Sequence, residues 1–234
     1  MSNRNIDVHL QESVLNRVRV WDLPTRVFHW ALVACFIGLV ATGEWGDGAM
    51  VWHFRLGYTV LSLLLFRLVW GFTGGIWSRF STFVAGPASI LQYVRGHGSA
   101  QQSVGHNPVG ALSVLALLGF ALLQVVAGLF SDDEIATLGP LAKMASGMWV
   151  NYATYYHANV GKIILIVLVL LHVGAIIFYR IKRQENLVLP MVVGDKQLAQ
   201  PFASSRDDAR SRAGALLLFA MCAAGVVGFV QWAG

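Results

Sequence analysis

HANVGKIILIVLVLLHVGAIIFYRIKR, from His157 to Arg183, is the stretch that decides how the rest of the chain is read. It is apolar for long enough to cross a bilayer, which takes roughly 20 helical residues. It opens on one histidine and carries a second, His172, fifteen residues later. At about 1.5 Å and about 100° per residue, the two lie roughly 22 Å apart along the axis and about 60° out of register. Both therefore look out of roughly one side of a single membrane helix, at different depths. Imidazole nitrogens without partners in hydrocarbon cost several kcal/mol, so an ionisable residue inside a span points to function. Partner histidines at the same two depths on other helices would make two cofactor sites stacked across the membrane.

The chain around this run has 234 residues, 56% hydrophobic and 12% charged, with a mean hydropathy of +0.60. That composition is of an all-α integral membrane protein built as one bundle, without a separate soluble domain. No strand pattern is present, and in lipid a helix satisfies its own backbone. Cys35 and Cys222 fall in apolar runs and give no disulfide framework. The opening segment MSNRNIDVHLQESVLNRVRV lacks an apolar core and a cleavage pattern, so the first span is expected to act as the insertion signal.

Five spans are predicted: 27–43, 51–72, 108–130, 156–180 and 214–233. The corresponding organisation is a cytoplasmic N-terminal segment (1–20), a four-helix transmembrane domain (21–185), a cytoplasmic linker (186–212) and a fifth transmembrane helix (213–234). Thirteen of the seventeen Lys and Arg residues lie before the first span, between the second and third, or between the fourth and fifth. By the positive-inside rule the N-terminus is cytoplasmic and the C-terminus outside. Trp45, Trp52, Trp149, Tyr152, Tyr155 and Tyr156 form an outer aromatic belt, and Trp21, Trp77 and Tyr179 an inner one. PASILQYVR, starting at Pro87, predicts a short interfacial helix with Ile90, Leu91 and Val94 on one face. The fifth span has small residues four apart at Ala220, Ala224 and Gly228 and no histidine, which reads as a packing or homodimerising helix.

Depth sorts the histidines. The first span enters from the inside, so His29 is near the inner face. The second enters from outside, as does the fourth, so His53 and His157 are both near the outer face and His172 is deeper, toward the inner end. The pairs are His53 with His157 and His29 with His172. Zinc looks for four ligands, usually with thiolate or carboxylate among them, and neither depth offers one. Haem iron needs only two axial donors, so each pair suits one haem, and without a CxxCH the haem is non-covalent, b-type. Gly57 and Gly161, each four residues after an outer histidine, leave room for a flat macrocycle. Arg55 and Arg67 are candidate propionate partners, with headgroup snorkelling as the plain alternative. His106 precedes Asn107, an expected N-cap, and Pro108; it is read as a propionate or proton-transfer residue near the inner site, with ligation the alternative.

VWDLPTRVFHW, WHFRLGYTVLSLLLFRLVWGFTG, HNPVGALSVLALL, FSDDE followed by GPLA, and the run from His157 together resemble the bacterial di-haem cytochrome b-561 family, which includes the b-type subunit of nickel-iron hydrogenases. The resemblance spans about residues 19–196. It implies a four-helix bundle with two b haems, ligands on helices one, two and four matching His29, His53, His157 and His172, and electron transfer with the quinone pool. The fifth helix departs from the pattern.

Three functions follow. The first is a transmembrane conduit between quinone and a periplasmic c-type cytochrome, with Asp132, Asp133 and Glu134 as a docking patch. The second is the membrane anchor of a larger, hydrogenase-like oxidoreductase with a catalytic redox subunit. The third is a self-contained superoxide or ferric reductase. Membrane lipid is the surrounding partner in each, and nucleic acid is a partner in none.

Overall fold

The computed structural model describes residues 15–45, 47–132 and 137–234. Five helices in it are long and apolar enough to cross a membrane: Leu23–Glu44, Met50–Thr73, Pro108–Leu129, Gly147–Lys182 and Ala209–Ala233. Together with the composition they define a multi-pass, mostly helical inner-membrane protein. Three of the helices start on side-chain caps that the sequence spells out. Asp22 accepts from Thr25 N at 2.8 Å ahead of Pro24, Asn107 accepts from Gly110 N at 2.8 Å ahead of Pro108, and Asp208 accepts from Ser211 N at 2.7 Å. Each satisfies an N–H group that the first turn leaves without a helical partner.

Backbone packing joins the first span to the second, the second to the third and fifth, and the third to the fourth. One buried cluster, built on Phe28, Val60, Leu63, Leu64, Phe66, Trp70 and Ala215, fills the space among spans one, two, three and five. The fourth span stands apart from it. Of its residues Lys162–Lys182 only Leu165 is buried, and its backbone makes no comparable approach to spans one or two. A slot is thus left between the fourth span and the first two, and the histidines look into it.

The fourth span is longer than the apolar run predicts. Helix begins at Gly147, passes through a π-helical turn at Tyr156–Gly161, and continues to Lys182, so the outer loop contributes its first nine residues. A π turn takes about one more residue per turn, or roughly 80° per step, and over about four steps this removes about 80°, which turns the roughly 60° offset between His157 and His172 into one of about 20°. The local winding brings both histidines onto one face. The short helix Pro87–Val94 forms as expected, with Leu91 and Val94 exposed to the interface.

At the basic end the segment read as a linker carries a short helix and a strand, although no strand pattern is legible in the sequence. Asn16–Arg19 pairs antiparallel with Asp195–Leu198. Helix Val188–Val193 ends on Gly194, whose φ is +93° and whose carbonyl accepts from Val20 N and Trp21 N; a Cβ there would lie 2.7 Å from Trp21 O. Ser205 Oγ donates to Val20 O at 2.8 Å, and Trp77 Nε1 donates to Ala203 O at 2.8 Å. Asp22 sits fully buried at the centre, accepting from Gly75 N at 2.8 Å and Trp70 Nε1 at 3.2 Å besides Thr25 N. Burial of so polar a segment is possible because nearly every group finds a partner. Around the cap, Arg19, Arg26 and Arg212 surround Asp207. Burial pushes the Asp207 carboxyl up, but hydrogen bonds from Arg212 and Leu23 N–H, with the charges of Arg212 and Arg19, outweigh it and hold the pKa below the usual value.

The fifth helix is no loose appendage. Ala215, Val226 and partly buried Leu218, Phe219 and Cys222 pack on the first three spans, while Ala220, Ala224 and Gly228 face outward.

Candidate functional site

At the end of the bundle away from the cap, His53 of the second span and His157 of the fourth meet across the slot with ring centres 6.0 Å apart and planes at 84°. Each ring is held by a backbone carbonyl: His53 Nδ1 lies 3.1 Å from Leu39 O, and His157 Nδ1 lies 2.8 Å from Gln124 O. A carbonyl only accepts, so each Nδ1 carries the proton and each Nε2 keeps its lone pair. That is the tautomer of a metal-ligating histidine, fixed by its outer hydrogen bond. Thr42 Oγ1 stands 3.3 Å from His53 Nδ1.

The rings are seated against glycines that sequence reasoning did not single out. A Cβ on Gly43 would meet His53 Cε1 at 3.3 Å, and one on Gly128 would meet His157 Cε1 at 2.7 Å. Of the two glycines that it did single out, Gly57 has nothing within 4 Å of an added Cβ and borders open space. Gly161 is a correction. Its Cβ would collide with Gln124 Oε1 and with the Tyr156 ring, so it is there to let spans three and four close, not to border a macrocycle. Gln124, also unforeseen, donates from Nε2 to His157 O at 2.8 Å, bracing the carbonyl of the π turn.

Toward the basic end, His29 of the first span and His172 of the fourth interact electrostatically, and His106 interacts with both. His29 Nδ1 is buried without a hydrogen-bond partner. His106 lies just before the third span, its ring 4.7 Å from Trp21 and 4.8 Å from Phe83. Burial, and then the Arg67 charge, hold the His106 pKa down to about 3, so the ring is neutral. Arg67 is 3% exposed and points inward, which separates it from a snorkelling arginine. Arg55 behaves in the opposite way: it is exposed and stacks over Trp52 at 4.9 Å, as expected of a residue reaching for headgroups. Asp132 N donates to Thr154 Oγ1 at 3.0 Å; Asp133 and Glu134 lie outside the described residues.

The donor set fits haem. With about 2 Å per metal–imidazole bond and about 1 Å from each nitrogen to its ring centre, two axial imidazoles on one iron have centres about 6 Å apart, as His53 and His157 do. Among the described residues no cluster of three or more His, Cys, Asp or Glu could hold a bare metal ion. Gly57, one turn after His53, borders open space.

A multi-pass helical membrane protein that sets two imidazoles 6.0 Å apart between its helices suits a b-type cytochrome, an electron-transport protein. The chain belongs to the prokaryotic cytochrome b561 family, whose model matches residues 20–194. It is similar to proteins named probable Ni/Fe-hydrogenase B-type cytochrome subunit. The one from Rhizobium leguminosarum bv. viciae is 23% identical over 230 residues, covering 81% of this chain and 93% of the relative. That from Bradyrhizobium diazoefficiens is 23% identical, covering 77% and 86%, and that from Azotobacter vinelandii is 25% identical, covering 76% and 87%. No solved structure matches significantly.

Proposed function

We propose that this chain is a two-haem transmembrane conduit, with one haem held by His53 and His157 and a second by His29 and His172. The observation that carries the reading is the 6.0 Å separation of the His53 and His157 rings, each anchored through Nδ1 with Nε2 free. Bound b-type haem would supply a one-electron couple, and the paired imidazoles would keep oxygen from it. The chain's own part is geometric: Leu39 O and Gln124 O orient the outer imidazoles, and the fourth helix spaces the two pairs roughly 22 Å apart along its axis, dividing a roughly 30 Å hydrocarbon core into shorter steps.

Positive-inside counting puts the basic cap in the cytoplasm, the C-terminus in the periplasm and the His53–His157 pair near the periplasmic face. Quinone exchange then belongs at the inner pair. For the partner at the outer pair, the names of the relatives support a catalytic redox subunit, such as that of a nickel-iron hydrogenase, over a c-type cytochrome. No observation favours a superoxide or ferric reductase.

Pyridine haemochrome assay of the purified chain is expected to give two haems. His53→Ala and His157→Ala are expected to remove the same one, and His29→Ala and His172→Ala the other. One haem in the parent chain, or His106→Ala matching His29→Ala, overturns the assignment. Stoichiometric copurification of a catalytic subunit in mild detergent tests the partner.

A further inference from the structure

Two buried nitrogens beside the inner histidines have no hydrogen-bond partner: Arg67 Nη1 and His106 Nδ1. Arg67 is locked on two other sides. Its Nη2 donates to Ser78 O at 2.9 Å and its guanidinium lies over the Phe80 ring at 4.9 Å, so the remaining nitrogen is presented in a fixed direction. A guanidinium is charged at any physiological pH, and burying it without an anion costs several kcal/mol. Asp22 is the carboxylate that acts on it electrostatically. Yet the Asp22 oxygens are taken by Thr25 N, Gly75 N, Trp70 Nε1 and Ser78 Oγ, and none of its bonds goes to Arg67. One wall connects the two nitrogens: Phe80 under Arg67 stands 5.7 Å from Phe83, which stands 4.8 Å from His106. Arg67, His29 and His172 all act electrostatically on His106.

We infer that Arg67 and His106 form a carboxylate subsite at the rim of the inner histidine pair, and that it takes a propionate of the haem proposed there. The inference rests on the haem reading of that pair. A carboxylate meets both requirements at once: it accepts a charge-assisted bond from Arg67 Nη1 and a bond from a protonated His106 Nδ1, and it neutralises a guanidinium inside the membrane. A quinone carbonyl would accept the bonds and leave the charge uncompensated.

Full-length chain, stripped of haem in detergent, is reloaded with protohaem or with its dimethyl ester, and loss to apomyoglobin is timed at each of the two sites. The parent chain is expected to release the ester at least tenfold faster than protohaem from the site that His29→Ala abolishes. Arg67→Leu is expected to erase that discrimination at this site only, and Arg67→Lys to restore part of it. His106→Phe, which keeps the aromatic contacts, should reduce the ratio by a smaller factor and serves if Arg67→Leu does not accumulate. An ester-to-protohaem ratio in Arg67→Leu or His106→Phe equal to the parent's overturns the subsite while leaving the haem reading intact. Haem content untouched by His29→Ala and His172→Ala overturns the haem reading itself.

Discussion

Gln124 grips His157 twice. Its backbone carbonyl lies 2.8 Å from His157 Nδ1 and its side-chain Nε2 donates to His157 O, also at 2.8 Å, so one residue of the third span fixes both the ring and the π turn that carries it. The π turn leaves the regular i to i−4 ladder, and the Gln124 side chain ties one of its carbonyls to the third span.

Gln124→Leu keeps the backbone bond to the ring but removes the donor to His157 O. Losing a hydrogen bond of this kind costs about 0.5–1.5 kcal/mol. The expected outcome is a lower melting temperature and an altered low-spin signal in electron paramagnetic resonance for the outer haem alone. Equal perturbation of both haem signals, or of neither, would sink this role for Gln124.

The glycines separate by what surrounds them. In Gly128→Ala the new methyl would lie 2.7 Å from His157 Cε1 and 3.0 Å from Nδ1, so the ring has to move off Gln124 O. Overpacking of this kind costs about 1–3 kcal/mol, and outer-haem content is expected to fall. Gly57→Ala meets nothing within 4 Å. Its haem-free melting temperature should match the parent's, with the effect confined to haem uptake. A haem-free Gly57→Ala chain that melts several degrees lower would show that protein packs there.

The spans, their caps and the meeting of His53 with His157 are legible in the sequence because hydropathy, Asp/Asn-Pro caps and the place of each histidine along its span are local signals. The basic-end cap is not. Asp22, Gly75 and Ser205 come from segments 53 or more residues apart, and no period or motif announces that their polar groups will close on one another. The π turn is hidden likewise, since YHANVG carries no signature of it, and with it Gln124, which looks like one polar residue on an apolar helix. Spacing from His157 alone sets Gly161 beside a macrocycle, whereas the atom nearest to its added Cβ, Gln124 Oε1, comes from another span.

Acid should loosen the cap through Asp207. Its folded pKa is depressed below the ordinary carboxylate value, so its contribution to stability is present above that value and is lost as pH falls through the folded pKa. Melting temperature in detergent is expected to decline below about pH 4, and Asp207→Asn to flatten that decline while lowering the neutral-pH plateau. A pH profile that Asp207→Asn leaves unchanged would remove Asp207 from the account.

Where the chain is cut after the fourth span should matter more than the loss of the fifth helix itself. Ending the chain after Asp208 removes only that helix, whose contacts with Phe28, Leu64 and Phe66 lie within the bilayer. In lipid such apolar surface is recovered largely by acyl chains, so the loss is of packing contacts alone and is expected to be modest. Ending it after Asn186 also deletes the strand partner of Asn16–Arg19, the carbonyl of Gly194 that holds Val20 and Trp21, the Ser205 bonds, and Asp207 with its three arginines. Each of several buried donors then loses its acceptor, at about 1–3 kcal/mol apiece, enough to exceed the stability of a typical domain. The longer truncation product is expected to accumulate in the membrane with both haems by difference spectroscopy, and the shorter one to be degraded or haem-poor. Equal haem content in the two would mean that the cap is dispensable and that 186–212 is a linker after all.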